Sequence, residues 1–394
     1  MKKIPIFELN QAGRVCSLLS ENFSDVIRFT YGNKNYPTKK SVVFIEYIGL
    51  DLAVLDTLKD LSSKSSQKFF LVIDDTYEGL LSKKILEKHI KYIESLNEVI
   101  DEFIILSANK SLYNEMLNLG YEKNFIYFNA HLYLSKYDGI DVQNSIVSES
   151  DLLRKKKFLC LNRQERLHRI QVVDHLCQTK QLRHGYISCP LSDYKLAFEN
   201  KLDSDYQGKV LFFDDALLNY KFTIEQKNRL SSILPLELDV PDEMHKSLRN
   251  EMPDTKAYFE ESYFSIITEG DFYRTDDRQM FTEKILKAFI YKHPFIVVGL
   301  PGTLSLLREQ GFLTFPQIIN EAYDTIEDDT ERLNACLQEI DKLLSLNIHE
   351  LKDLYDSVKP ILEHNRKLVM QYNSMPAPSL LVNIIQQWFY NLND

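Results

Sequence analysis

The 394-residue sequence predicts an α/β protein of two domains. Three observations carry this expectation. The chain is too long for one ordinary hydrophobic core. Short β-branched or aromatic runs alternate with stretches whose apolar residues recur at helical spacing, the order that places a parallel sheet between helices. A polar stretch from Asp141 to Lys157 interrupts that order, after which it begins again.

In the first half the runs at 42–48, 69–73, 103–106 and 125–128 read as strands, and 52–61, 83–96 and 112–119 as helices joined by short connections. In the second half 158–161, 186–188, 210–213, 263–268 and 295–298 read as strands and 166–177 as a helix. Beyond Thr330 the spacing is helical almost to the end, and LLVNIIQQWFYNL at 380–392 is an apolar helix that must pack, with the first domain as one available surface. The expected organisation is a first domain over 1–150, a second over 151–375, and a C-terminal helix over 376–394. Neither a repeat nor a low-complexity tract appears.

Hydrophobic residues at 44% and charged residues at 26% match a globular chain. A net charge of −10 disfavours a non-specific duplex binder, while leaving room for a local basic pocket. No apolar run approaches the roughly 20 residues that span a bilayer, and the opening MKKIPIFELNQAGRV lacks the apolar core of a signal peptide, so the cytoplasm is the expected compartment. The 5 cysteines are dispersed and include no CxxC pair, which predicts reduced core residues.

The segment from Tyr263 to Gly299 carries the most chemistry. It reads as a strand ending at Glu269, a polar loop with Arg274 and Arg278, a helix beginning at Thr282, and a strand leading to Gly299. Loops after the carboxyl ends of parallel strands line the ligand crevice. Thr282 is a good N-cap, which puts Glu283 and Lys284 in a first helical turn whose N–H groups attract anions. A lysine there opposes the helix dipole unless an anion neutralises it, which points to a phosphate ligand; an ordinary solvated pair of charges is the alternative. After the 158–161 strand comes Asn162-Arg163-Gln164-Glu165-Arg166-Leu167-His168-Arg169, whose arginine spacing lets at least one guanidinium face the same edge. Surface arginines paired with Glu165 and Asp174 are the alternative there, and His168 reads as a loop or surface residue. In the first half, strand 69–73 ends in Asp74-Asp75-Thr76-Tyr77-Glu78-Gly79, and Asp75 and Glu78 are candidate general bases. An Asp-Asp pair could instead ligate a divalent metal, or the acids could cap a turn. Tyr323-Asp324 reads as the start of a helix with a solvated charged face. No GxGxxG follows any strand, which disfavours a dinucleotide-dependent oxidoreductase.

Thr268-Glu269, the polar loop, Thr282-Glu283-Lys284, a helix, and Pro294-Phe295-Ile296 leading to Gly299 together resemble the donor-binding half of bacterial and viral glycosyltransferases. The segment is similar to that of α-1,3-fucosyltransferases, and Gly311-Phe312 with Tyr323-Asp324 resembles a further, uncharacterised glycosyltransferase group. The resemblance runs from about residue 157 to residue 324. It implies a GT-B type fold with two facing Rossmann-like domains, an interdomain cleft and a helical C-terminal end. By the same resemblance Glu283 holds the ribose and Lys284 the phosphate of a nucleotide sugar. Asn162, Arg163 and Arg169 contact the diphosphate, and Glu269 and Thr282 complete the donor site. The resemblance further implies a leaving diphosphate stabilised by basic residues and helix termini, with no metal and no cofactor beyond the donor substrate. Thr268-Glu269-Gly270 stands where the fucosyltransferases carry Phe-Glu-Asn-Ser, so the sugar stays open. A hydroxyl on a glycan or surface polysaccharide is the first acceptor expected, and a modified nucleobase in DNA the second. A nucleotide-sugar epimerase and a non-catalytic nucleotide- or glycan-binding module are the remaining alternatives.

Overall fold

The computed structural model describes residues 3–9, 15, 19, 23, 27–31, 40–46, 59–60, 63–64, 68–76, 83–133, 153–162, 166–189, 215–236, 238, 255–273, 278–375 and 379–390. Two compact units emerge: unit 1 comprises Met1–Tyr137, Thr275–Met280 and Tyr372–Asp394, and unit 2 comprises Asp138–Arg274 and Phe281–Gln371. Each is a Rossmann-like α/β layer on a parallel sheet, and the C-terminal region is helical, as the alternating pattern implies.

Unit 1 holds β1 (Ile4–Leu9), β2 (Ile27–Tyr31), β3 (Ser41–Glu46), β4 (Phe69–Asp75), β5 (Ile100–Ser107) and β6 (Phe125–Tyr127). They form one sheet in the order β2-β1-β3-β4-β5-β6, every pair parallel. Helices α1 (Lys83–Ser95) and α2 (Lys110–Asn118) supply crossovers between the later strands. β4 is buried along its whole length because FFLVI presents apolar side chains to both faces, the pattern of a central parallel strand. The strands β1 and β2 had not been expected from sequence. The expected helix over 52–61 and the polar stretch over 141–152 fall almost wholly outside the described residues.

Unit 2 holds β7 (Lys156–Leu161), α3 (Leu167–Gln178), β8 (Gly185–Ser188), α4 (Asp215–Asn219), α5 (Ile224–Ile233), α6 (Thr255–Glu260), β9 (Ser262–Thr268), α7 (Glu283–Ile290), β10 (Phe295–Val298) and α8 (Thr303–Glu309). The helices α9 (Asp329–Ser345), α10 (Ile348–Ser357) and α11 (Lys359–Ser374) follow. Its sheet runs β10-β9-β7-β8, again parallel throughout. The expected 210–213 strand lies outside the described residues. Among the described cysteines, Cys160, Cys189 and Cys336 are buried, Cys177 is half-buried, and all four are free.

Tyr323 and Asp324 correct an expectation, since both are buried rather than solvated. Helix α8 begins after Gly302, whose φ of 79° suits a residue without Cβ and whose lack of a side chain leaves the helix uncapped. The Asp324 carboxylate fills that role, accepting from the N–H groups of Leu304 at 2.8 Å and Ser305 at 3.0 Å.

The C-terminal helix α12 (Ser379–Tyr390) belongs to unit 1, where the sequence pattern could place it. Leu381, Val382, Ile385 and Trp388 enter the cluster formed by Ile4, Ile6, Val42, Phe44, Phe70, Val72 and Ile104. Trp388 meets Phe70 edge-on at 5.4 Å and donates its indole N–H to Asp101 Oδ2 at 2.9 Å, while the Lys40 ammonium lies 4.6 Å from its ring centre. No described helix is long and apolar enough to cross a membrane. Replacing Trp388 with alanine should destabilise unit 1 by about 3 kcal/mol or more, the usual cost of emptying an aromatic core position. Denaturant unfolding followed by amide exchange at β1 and β4 measures this, and unchanged protection there would contradict the packing role.

Candidate functional site

In unit 2 the chain runs from β7 to its neighbour β8, then returns to the opposite side of β7 to form β9. Sheet order thus reverses between β7 and β9, and ligands of open α/β sheets bind outside the carboxyl ends of strands at such a point. The residues Asn162, Thr268 and Glu269 follow or end these two strands.

Asn162 is buried, and its side chain is occupied by the strand ends. Its Oδ1 accepts from Thr268 Oγ1 at 2.6 Å, its Nδ2 lies 3.4 Å from Cys160 Sγ, and its backbone N–H donates to the Ser188 carbonyl at 3.1 Å. It therefore clamps β7, β8 and β9 together. Arg163 lies outside the described residues.

Helix α3 starts with Arg166 at its N-cap, which has extended backbone and makes no side-chain capping bond. His168 overturns the expectation of a surface residue: it is buried, Nε2 lies 3.0 Å from the Glu269 carbonyl, and its ring stacks on Phe272 at 5.4 Å. Arg169 is buried as well, donating from Nη2 to the Glu269 carbonyl at 2.8 Å. It is not the surface partner of Asp174, which instead binds the Arg229 guanidinium at 2.6 and 2.9 Å. The physical reason is position: the first turn of α3 lies over the end of β9, where backbone carbonyls need donors.

Glu269 joins the two helices. Its carboxylate accepts from the Thr282 N–H at 3.1 Å, the Thr282 hydroxyl at 2.6 Å and the Gly270 N–H at 3.3 Å, with Lys284 Nζ at 3.7 Å. Gly299 lies beside it, and a Cβ there would meet the Glu269 side chain at 3.3 Å. Thr282 caps α7 as expected, its hydroxyl accepting from the Lys284 N–H at 3.4 Å. Lys284, however, already has countercharge. Its ammonium stands 3.4 Å from Glu283 Oε1 as well as near Glu269, so its place in the first turn needs no phosphate to explain it.

The charges are close enough to feel one another. Burial, then the Arg169 guanidinium, holds the His168 imidazole well below its ordinary titration range, and Arg166 and Lys284 add to the effect. Burial, then Arg166, lowers Arg169 from its usual value, with Glu269 and Glu283 opposing. Arg166, Arg169, Lys284, Glu269 and Glu283 therefore share one electrostatic neighbourhood at two helix N-termini. Sequence reasoning missed Arg332, for which no local signal exists. It is fully buried and donates to the carbonyls of Gly299, Ile326 and Phe272, with its guanidinium 4.5 Å from the Phe272 ring centre.

In unit 1, β4 ends in Asp74 and Asp75. Asp74 Oδ1 accepts from the Thr76 N–H at 3.1 Å and hydroxyl at 2.7 Å, the local turn that such acids favour. Asp75 is 1% exposed, and its Oδ2 accepts from Ser107 Oγ at 2.7 Å. Glu78 lies outside the described residues. Among the described residues no three His, Cys, Asp or Glu side chains gather as metal ligands.

No family model and no curated protein matches the chain. Among solved structures, the crystal structure of T4 phage BGT in complex with its UDP-glucose substrate is similar at 12% identity, over 95% of this chain and 100% of that one, with a TM-score of 0.31. Likeness of that size assigns the chain neither a family nor an activity.

The buried histidines of unit 2 predict an acid-sensitive stability. His293 is fully buried, accepts at Nδ1 from Ser265 Oγ at 2.6 Å, and is lowered to about 3 by burial, then Arg154. A depressed histidine stays neutral in the folded protein while the unfolded chain takes up a proton below about 6.5. Its contribution is therefore complete above that pH and declines as pH falls from about 6.5 toward 3. Denaturant unfolding of His293→Gln should show a shallower loss of stability over that window than the parent, and an unchanged slope would refute the assignment.

Proposed function

We propose that this chain is a glycosyltransferase that moves a sugar from a nucleotide-sugar donor to a hydroxyl acceptor. The observation that carries the proposal is the strand-order reversal between β7 and β9, where the start of α3 brings Arg166 and Arg169 into one electrostatic neighbourhood with Lys284. Backbone N–H groups at a helix start and nearby cations suit a diphosphate. Two Rossmann-like units in one chain agree with a GT-B type enzyme.

In this proposal Arg163 and Arg166 face the diphosphate. Lys284 exchanges part of its pairing with Glu283 for a phosphate oxygen, and Glu283 holds the ribose hydroxyls. Asn162, Arg169, Glu269 and Thr282 act behind them, fixing the strand ends and the start of α7. The leaving diphosphate is stabilised by these cations and helix termini without a metal. In unit 1 a carboxylate, Asp75 or Glu78, removes the acceptor proton. The acceptor is a hydroxyl of a glycan or of a modified nucleobase in DNA, and parallel transfer assays with the two acceptors decide between them.

A thermal-shift panel of nucleoside diphosphates and nucleotide sugars, UDP-glucose among them, is the direct test. A ligand at a hundred times its dissociation constant should stabilise by about 2.7 kcal/mol, with chelator present throughout. Lys284→Met should weaken donor affinity roughly ten- to a hundredfold, the loss expected for one charge-assisted contact. Unchanged affinity would remove Lys284 from the site.

Asp75→Asn and Glu78→Gln separate the candidate bases. Loss of the true base should lower transfer by about a hundredfold or more while donor binding persists. Parental transfer rates in both variants would place the base elsewhere.

A further inference from the structure

At the carboxyl edge of the unit 1 sheet a lysine stands beside two tyrosine rings. β5 ends at Ser107 and β6 at Tyr127, so the turn into α2 lies at the end where open parallel sheets take their ligands. Lys110, the first residue of α2, is half-buried there, its ammonium 4.8 Å from the ring centre of Tyr113 and 5.0 Å from that of Tyr127. The two rings are 6.0 Å apart, and Tyr113 also packs on Phe125. Among the described residues this ammonium has neither a carboxylate nor a carbonyl to donate to. Lys40 and Lys156 also stand over rings, but each donates to a backbone carbonyl at 2.7 Å as well, that of Trp388 and that of Arg183 respectively. The ring contacts hold the Lys110 charge in place without satisfying its N–H donors. The main chain at this point is already paired. The Lys110 N–H donates to the Gln279 carbonyl at 2.9 Å, and Asn109 Oδ1 accepts from the N–H groups of Leu112 at 3.3 Å and Gln279 at 3.2 Å. What this edge offers a ligand is therefore a side-chain cation flanked by aromatic rings rather than an open helix start.

We infer that this cluster is an acceptor subsite for a nucleic-acid strand, in which Lys110 takes a backbone phosphate and the rings of Tyr113 and Tyr127 lie against a base or its sugar. This rests on the proposal that unit 1 receives the acceptor, and it chooses between the two acceptors named there. A neutral glycan offers hydroxyls, which fill an N–H donor and leave the charge unmet. A phosphate diester oxygen answers both. Aromatic rings beside a cation are the combination by which single strands are held, because every base has a flat face and every nucleotide a phosphate. A single cation also suits an acidic chain, since a net charge of −10 opposes long contacts along a duplex and leaves one local phosphate contact open.

Fluorescence anisotropy with a labelled oligothymidylate tests this on the full chain without requiring transfer. Lys110→Met should weaken binding roughly tenfold or more, the loss expected for one charge-assisted contact. It should also reduce the slope of log affinity against log salt by about 0.7, the share of one single-strand phosphate. Lys110→Arg should keep most of the affinity. An oligothymidylate with an uncharged methylphosphonate backbone should bind weakly, and equally to the parent and to Lys110→Met. Absence of oligothymidylate binding in the parent, or equal affinity and salt slope in the parent and Lys110→Met, would overturn the subsite. Displacement of the oligothymidylate by a neutral oligosaccharide would overturn it too, in favour of a glycan acceptor. A parallel fall of UDP-glucose affinity or of unfolding free energy in Lys110→Met would make Lys110 a structural residue instead. Phosphate-dependent binding in a protein that transfers sugar to no acceptor would leave the subsite standing and remove the glycosyltransferase reading.

Discussion

A buried carboxylate must find donors or cost several kcal/mol, and Glu269 satisfies that constraint by drawing two helices onto one strand end. Its side chain takes the Thr282 N–H and hydroxyl, and its carbonyl takes the Arg169 guanidinium. Its own N–H continues the ladder to Val298. Each of these bonds leads to a different element, so the start of α7, the first turn of α3 and the ends of β9 and β10 hold together through one residue. Gly299 gives the side chain room, and Arg332 gathers the neighbouring carbonyls of Gly299, Ile326 and Phe272. A polar edge assembled this way resists collapse, because the carbonyls of Glu269, Gly299, Ile326 and Phe272 each have a guanidinium donor.

That arrangement changes which atoms are available to an anion. Lys284 shares its charge with Glu269 and Glu283, and Arg169 spends its Nη2 donor on backbone carbonyls. Burial first, and the Arg169 guanidinium second, depress the neighbouring His168. In the proposed donor site the start of α3, with Arg166 extended at the N-cap, is where a phosphate would sit. A phosphate there would compete with Glu283 for Lys284. Such competition would tie ligand binding to the first turn of α7.

Legibility in the sequence followed burial. The strand 69–73 and the strand 295–298 were recognisable because each is apolar on both faces, and β10 spans the expected residues from Phe295 to Val298. The first two strands were not. IPIFEL contains Pro5 and Glu8, and IRFTY alternates over only five residues, too short for periodicity to stand out. Helix α2 starts two residues before the expected span, since Asn109 and not the first apolar residue sets its beginning. His168 was misplaced for a related reason. A histidine among arginines looks solvated until the strand end covering it is known.

The sequence by itself determined the repeated strand–helix order in both halves, the Thr282 cap, the helical end beyond Thr330, and the apolar face of the last helix. All of these depend on neighbours within a few residues, where backbone preference and side-chain spacing suffice. The tertiary structure alone decided that Glu269 faces inward, that Asn162 clamps strands, that Asp324 caps a helix twenty residues before it, and that Asn109 binds Gln279. Those pairings join positions far apart in the chain. Their partners are chosen by which buried donors the sheet order brings within hydrogen-bond distance, a quantity no local pattern encodes.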